Sequence, residues 1–246
     1  MSPVLADPRG FGNRLPADRR FSLGVADGGQ AGYLEGRDLP SRPRAPVMST
    51  HEPEVETSIR FGLADDGQVV TAEEFDSAEF DEPWIYEREG GRLVVMAPDG
   101  GGHVRQSEPW RDHLGAYRLQ HPEIVQAVVS QAWIRVDPDH DRIADIAVYL
   151  GGDLDQLDIP HQIPDLVFEF VSASKKDRTR DFIEKRLQYE RLGIREYVII
   201  DRFSRTVVVL SLESGHYSER SLTAADVYES PLLPGFAFPL VGVWPR

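Results

Sequence analysis

Pro164-Asp165-Leu166-Val167-Phe168-Glu169-Phe170-Val171 is an apolar run that reads as a strand buried on both faces, with one acid set inside it. Alternation puts Asp165, Val167, Glu169 and Val171 on one face and Leu166, Phe168 and Phe170 on the other. A carboxylate buried there without a partner would cost several kcal/mol, so a cation is expected near Glu169.

Upstream, Ile143–Leu150 alternates in the same way, with Asp145, Ala147 and Tyr149 sharing a face. The connection over residues 151–163 is too short for a helical crossover, so the two strands are expected to run antiparallel. If Leu150 lies opposite Pro164, Asp145 comes opposite Glu169, with Cβ atoms about 5 Å apart. Two carboxylates that close repel unless a cation lies between them. Downstream, a helix from Arg178 to Leu192, stopped by Gly193, carries Asp181, Lys185 and Tyr189 at i, i+4 and i+8. Folded back over the sheet, it would bring the Lys185 ammonium toward Glu169. Two acids and a lysine form a hard-cation site with positive charge beside it; the plainer alternative is a partly buried salt bridge with a surface i, i+4 pair.

Around this centre the expected order is a helix over Ala72–Ala78, capped by Thr71 and Glu74, then a strand pair Trp84–Glu87 and Leu93–Met96 around Arg88–Gly91. A helix His103–Leu119 follows Gly100–Gly102. Further strands are Ile124–Val129 and Ala132–Val136, then Glu196–Ile200 and Thr206–Leu212 around a turn at Asp201–Arg205. Short strands and Pro-rich turns complete the chain. This order is an α+β or α/β layer pattern. The single folded domain is expected over 69–246, and residues 1–50, with thirteen Gly or Pro, are expected to be a disordered arm. Met48 stands where that composition ends and is considered as an alternative translation start.

The 246-residue chain carries 41 acidic and 27 basic side chains, a net charge of −14. The first 50 residues hold seven Arg against five acids, which leaves −16 on the rest. So acidic a body repels a phosphate polyanion at long range and argues against a generic nucleic-acid-binding surface, though not against a local site neutralised by metal. The absence of cysteine excludes disulfides, thiolate metal sites and cysteine nucleophiles. No apolar run approaches the ~18 residues that cross a bilayer, and no leader opens the chain, so the expectation is a soluble, cytoplasmic protein with no membrane partner.

Residues 71–241 resemble the Uma-type "putative restriction endonuclease" family, a branch of the PD-(D/E)XK nuclease superfamily. The stretch from Pro164 to Ser174 is similar to that family's Pro-Asp-Leu-Val-Val-Glu-Val-Leu-Ser-Pro-Ser. The Asp181, Lys185, Tyr189 and Gly193 spacing and the strand Arg195–Asp201 follow at the family's distances. Tyr86-Glu87, Leu93–Pro98 and His103 match its opening. Ala144 and Ala173 depart from prolines of the pattern without removing a functional group.

The resemblance implies a restriction-endonuclease-like α+β core (α/β/α-like), a mixed sheet flanked by helices with an additional N-terminal hairpin. It implies that Asp145 and Glu169, with the Phe170 carbonyl, hold Mg²⁺ or Mn²⁺. Lys185 would replace the lysine normally two positions beyond the second acid, where Val171 stands. The implied activity is metal-dependent phosphodiester hydrolysis, with DNA the expected substrate, contacted locally; homo-oligomerisation stays open. Glu87, His103 and Asp181 are auxiliary candidates, with plainer alternatives as a surface strand acid, a hydrogen-bonded capping histidine and an exposed i, i+4 partner. Tyr189 reads as packing. Competing readings are a catalytically silent nuclease-fold module for binding or assembly, and a structural α+β domain whose acids are merely paired.

Three other signatures fail. Asp137–Asp141 lacks the Gly and the final carboxylate of an EF-hand. Gly100–Gly102 has no Lys-Ser/Thr after it, so it is no P-loop. Ser172 and Ser174 lack a nucleophile-elbow context and read as caps.

Overall fold

The computed structural model describes residues 58–244 other than residue 99; the arm expected over 1–50 and the start considered at Met48 lie outside the described residues. Regular structure opens ahead of Val69, with strand β1 (Arg60–Phe61). Helix α1 (Ala72–Ser77) begins in the expected box: Thr71 Oγ1 accepts the Glu74 N–H, and Glu74 Oε2 accepts the Thr71 N–H at 2.8 Å. Strand β2 (Glu79–Phe80) pairs with β1 in parallel, and a small aromatic core of Phe61, Phe75 and Tyr86 forms between them and the next strands.

Strands β3 (Ile85–Glu89) and β4 (Arg92–Met96) make the expected hairpin. The turn is tighter than the sequence suggests. Only Gly90 and Gly91 reverse the chain, at φ 58° and 69°, a region open to glycine. Arg88 stays in the strand, buried, and donates to Asp141 Oδ2 at 2.7 Å.

Helix α2 (Gly101–Gln120) is followed by the long hairpin of β5 (Val125–Asp137) and β6 (His140–Leu150). The two strands expected at Ile124–Val129 and Ala132–Val136 are one. Of the two residues between them, Gln131 sits at φ 51° yet the pairing continues, Ser130 opposite Ile146 and Ala132 opposite Ala144. Strand β7 (Leu166–Phe170) pairs antiparallel with β6, Ile146 opposite Phe168 and Val148 opposite Leu166. One further step in that register sets Asp145 beside Glu169, as the alternation of the two strands anticipates.

A continuous helical stretch then runs through α3 (Lys175–Thr179), a π-helical segment (Arg180–Lys185) and α4 (Arg186–Leu192). It starts three residues before the expected Arg178 and ends at Gly193, which adopts φ 90° and donates its N–H to the Tyr189 carbonyl. Strand β8 (Glu196–Asp201) returns parallel to β7, and β9 (Thr206–Glu213) and β10 (His216–Thr223) extend the sheet. A last small pair, β11 (Val227–Glu229) and β12 (Ala237–Pro239), closes the described chain.

The result is an eight-stranded mixed sheet in the order β10-β9-β8-β7-β6-β3-β4, with β5 also on β6. Both faces are covered, for the period-two reason seen in β6 and β7. Ile146, Val148, Phe168 and Phe170 join Trp110 and Leu114 of α2 in one core. Ala147, Val167 and Val171 join Tyr189 and Tyr197 in the other. Each large apolar side chain so buried contributes about 1.5–3 kcal/mol. Trp110, fully buried against Phe168, Tyr228 and Phe238, is the keystone of the first core; Trp110→Ala costs about 3–5 kcal/mol. The architecture is the α+β mixed sheet with flanking helices and N-terminal hairpin that the sequence led us to expect.

Candidate active site

The expected acids and lysine converge on one cleft of about 280 Å³, bordered by Glu87, Asp145, Glu169, Arg180, Asp181 and Lys185. Asp145 projects from β6 at the point where β5, β6 and β7 lie side by side. The Phe170 N–H donates to its Oδ2 at 2.7 Å, and His103 Nε2 lies 3.0 Å from the same oxygen. His103 stands in the first turn of α2, and its ring packs edge-on against Phe170 at 5.5 Å. The histidine therefore serves the acid rather than merely capping its own helix.

Glu169 is buried on β7, and Lys185 Nζ donates to its Oε1 at 2.8 Å; the Tyr189 hydroxyl donates to the same oxygen at 3.3 Å. Among the described residues, hydrogen bonds to Asp145 fall on Oδ2 and those to Glu169 on Oε1, which leaves Oδ1 and Oε2 without one. The Lys185 ammonium also donates to the Ile143 carbonyl at 2.9 Å and lies 3.5 Å from Glu87 Oε1.

The π segment explains how one helix presents three polar groups inward. In a regular α-helix each i+4 step overruns a full turn by about 40°. A π turn holds more residues per turn, so the step from Asp181 to Lys185 does not overrun, and Asp181, Lys185 and Tyr189 all stay on the sheet side. Single π turns of this kind cluster at functional sites.

Two plainer alternatives are overturned. Glu87 is no surface acid: 1% exposed, it accepts from the Ile143 N–H at 3.0 Å and from Arg142 Nη1 at 3.1 Å. Asp181 is no exposed partner of Lys185; it is buried, 3.6 Å from Arg180 Nε, and its Oδ1 has no hydrogen bond. Tyr189 is packing, as expected, but its hydroxyl also addresses Glu169. Arg142, Arg180 and Gln188 escaped the sequence reading. The Asp137–Asp141 run looked like a polar turn, yet the reversal is confined to Pro138 and Asp139, so Asp141 and Arg142 fall inside β6 and are buried. The neighbouring alternation of Ile143–Leu150, extended two residues back, is the signal that would have exposed Arg142.

Electrostatics follow from these positions. Burial pushes Glu169 well above the usual carboxylate range; Lys185 opposes this, while Asp145 and Asp181 reinforce it. Burial likewise lifts Asp181 to about 6, against the pull of Lys185 and Arg180 and with a push from Asp145 and Glu87. Glu87 behaves oppositely. Burial raises it, but Lys185, Arg180, Arg142 and the Ile143 N–H together hold it below its ordinary value. Burial disfavours the Lys185 ammonium, yet Glu169, Glu87 and Asp181 keep it charged.

The cleft thus carries more negative charge than its own cations neutralise. Asp181 Oδ1 is a buried oxygen without a donor, and Glu169 is driven toward its neutral form first by burial and then by the like charges of Asp145 and Asp181. Hard oxygen donors with an unbalanced negative charge fit a small divalent cation. Among the described residues, no three His, Asp or Glu side chains form a ready-made metal cage; two carboxylates and a carbonyl suit an ion that keeps several of its waters.

A family model described as Uma2, "Putative restriction endonuclease", matches residues 72–241. The chain is similar in structure to a "putative nuclease belonging to DUF820" from Anabaena variabilis ATCC 29413, with a TM-score of 0.58 and 16% identity over 71% of this chain and 97% of that one. At that identity the likeness speaks to the fold. No curated protein matches the chain.

Proposed function

The chain belongs to the Uma2 family of "putative restriction endonucleases", and from that premise we propose that it is a divalent-metal-dependent endonuclease that hydrolyses phosphodiester bonds in DNA. The observation that carries the reading is the meeting of Asp145 and Glu169 from adjacent strands beside the Lys185 ammonium.

Asp145 and Glu169, with the Phe170 carbonyl, would hold Mg²⁺ or Mn²⁺. When bound, such an ion supplies a water of lowered pKa and neutralises charge on the phosphate. Lys185 keeps Glu169 oriented and ionised once the like charges are balanced, and holds positive charge next to the reacting phosphate. The Phe170 N–H and His103 fix the Asp145 carboxylate through Oδ2, so that Oδ1 would be the oxygen offered to a cation without a rotamer search. The walls from α2 and the π segment limit water around these groups, which strengthens every charge interaction inside.

The silent-module alternative draws on a different observation, the −14 net charge, which opposes contact with a polyanion. Cleavage of end-labelled double- and single-stranded DNA with Mg²⁺ or Mn²⁺, by the wild type and by Asp145→Ala and Glu169→Ala, separates the two. Metal-dependent cutting lost in both variants supports the nuclease; cutting that persists in them, or no cutting and no calorimetric heat with either cation, rejects it.

A further inference from the structure

Behind the cleft, four charged side chains of alternating sign stand in a row: Arg142, Glu87, Lys185 and Glu169. Arg142 Nη1 lies 3.1 Å from Glu87 Oε2, Glu87 Oε1 lies 3.5 Å from Lys185 Nζ, and Lys185 Nζ lies 2.8 Å from Glu169 Oε1. All four are buried, none more than 3% exposed. Glu87 is the member that ties separate elements together. From β3 it accepts the Ile143 N–H of β6 at 3.0 Å, while Lys185 of the π segment donates to the carbonyl of that same Ile143 at 2.9 Å. Ile143 lies two residues before Asp145, on the same strand face. Among the described residues β3 and β6 share one ladder pair, Arg88 opposite Asp141, and the Glu87 carboxylate extends that strand contact by a side-chain bridge.

We propose that Glu87 is a positioning residue: seated by Arg142, it locks the Lys185 ammonium and the Ile143 peptide in a single arrangement, and so sets where the lysine charge falls relative to Asp145 and Glu169. A buried ammonium has three N–H donors in need of acceptors. Here Glu169 and the Ile143 carbonyl accept from it, Glu87 faces it as an ion-pair partner at 3.5 Å, and of the two carboxylates Glu87 also accepts the Ile143 N–H of the strand that carries Asp145. Arg142 is itself fixed by Gln188, whose Oε1 accepts from its Nε at 2.9 Å. Removing Glu87 leaves Lys185 free to shift between Glu169 and the Ile143 carbonyl while both acids keep their places. A residue that only filled the core would lower stability without changing the lysine.

The effect on turnover rests on the nuclease reading; the effect on the lysine does not. The chain has only three lysines, at 175, 176 and 185, so ¹⁵N-lysine labelling gives three ammonium signals at most, and Lys185 is identified by its loss in Lys185→Arg. In the wild type the Lys185 ammonium is expected as a slowly exchanging signal. In Glu87→Ala its exchange accelerates by about 10-fold or more, and kcat on a DNA oligonucleotide falls by about 10- to 100-fold while KM and the Mg²⁺ dissociation constant stay within about twofold. Arg142→Met moves the same quantities in the same direction by less. If Glu87→Ala does not fold, Glu87→Gln carries the test, since its amide oxygen keeps the Ile143 N–H but loses the charge facing Lys185. A Lys185 signal as slow in the Glu87 variants as in the wild type overturns the inference, and so does a parallel fall of cation affinity and kcat. A wild type that cuts no DNA, with a lysine signal that still depends on Glu87, removes the nuclease reading and leaves the positioning role standing.

Discussion

Asp145 and Phe170 lie on adjacent antiparallel strands, and the Phe170 N–H donates to Asp145 Oδ2 at 2.7 Å. The same backbone unit that ends β7 beyond Glu169 therefore holds the other acid in place. Two carboxylates that would otherwise repel are spaced by the sheet itself, before any cation arrives.

Asp145→Asn keeps an oxygen that can accept the Phe170 N–H but removes the charge. The expected outcome is a melting temperature within a few degrees of the wild type, with metal-dependent cleavage down about 100-fold or more. Thermal melts beside a DNA cleavage assay check it; full activity would contradict the role given to Asp145.

Lys185→Met leaves Glu169 and Glu87 without their shared cation in a buried place. Denaturant unfolding should show a loss of about 3–5 kcal/mol, as for other buried pairs broken from one side. Saturating Mg²⁺ should restore part of that loss, because the ion supplies the missing positive charge.

The raised carboxyls give the metal-free protein a definite pH dependence. Asp181 titrates at about 6 in the folded state against an ordinary value of 3.8, and Glu169 is raised as well. The folded state then binds protons more tightly than the unfolded one, so this contribution is fully present below about pH 4 and is lost as pH rises through about 6. Melting temperature measured against pH should show that decline, and Asp181→Asn should flatten it.

Binding of a divalent cation requires ionised carboxylates, so its affinity should rise with pH through about 6 and protons should be released. Calorimetry with Mn²⁺ in two buffers of different ionisation enthalpy reads the proton number directly. Equal heats in both buffers at pH 5.5 would speak against a cation site whose Glu169 carboxyl must ionise beside Asp181.

Away from the cleft, the Tyr228 hydroxyl donates to Glu196 Oε1 at 2.5 Å inside the first core. Tyr228→Phe should cost about 1–3 kcal/mol by denaturant unfolding, the price of a buried acceptor left short of its donor. Cation binding should be unchanged, since Glu196 begins β8 and pairs with Leu166 at the far end of β7 from Glu169.

Several features were legible in the chain alone. Period-two alternation in Ile143–Leu150 and Leu166–Phe170 set the faces and the register of Asp145 against Glu169, because a one-residue slip would turn every apolar side chain of both strands to the wrong layer. Spacing placed Lys185 on the inward stripe of the helix, and Gly193 marked its end. The tertiary structure decided the rest. The π segment that removes the stripe's drift has no periodic signature in the sequence. The burial of Glu87 and Arg142 depends on β3 meeting β6, which are more than fifty residues apart along the chain. Local pattern fixes which side of a strand a residue faces; only the packing of distant elements decides whether that side meets water or a countercharge.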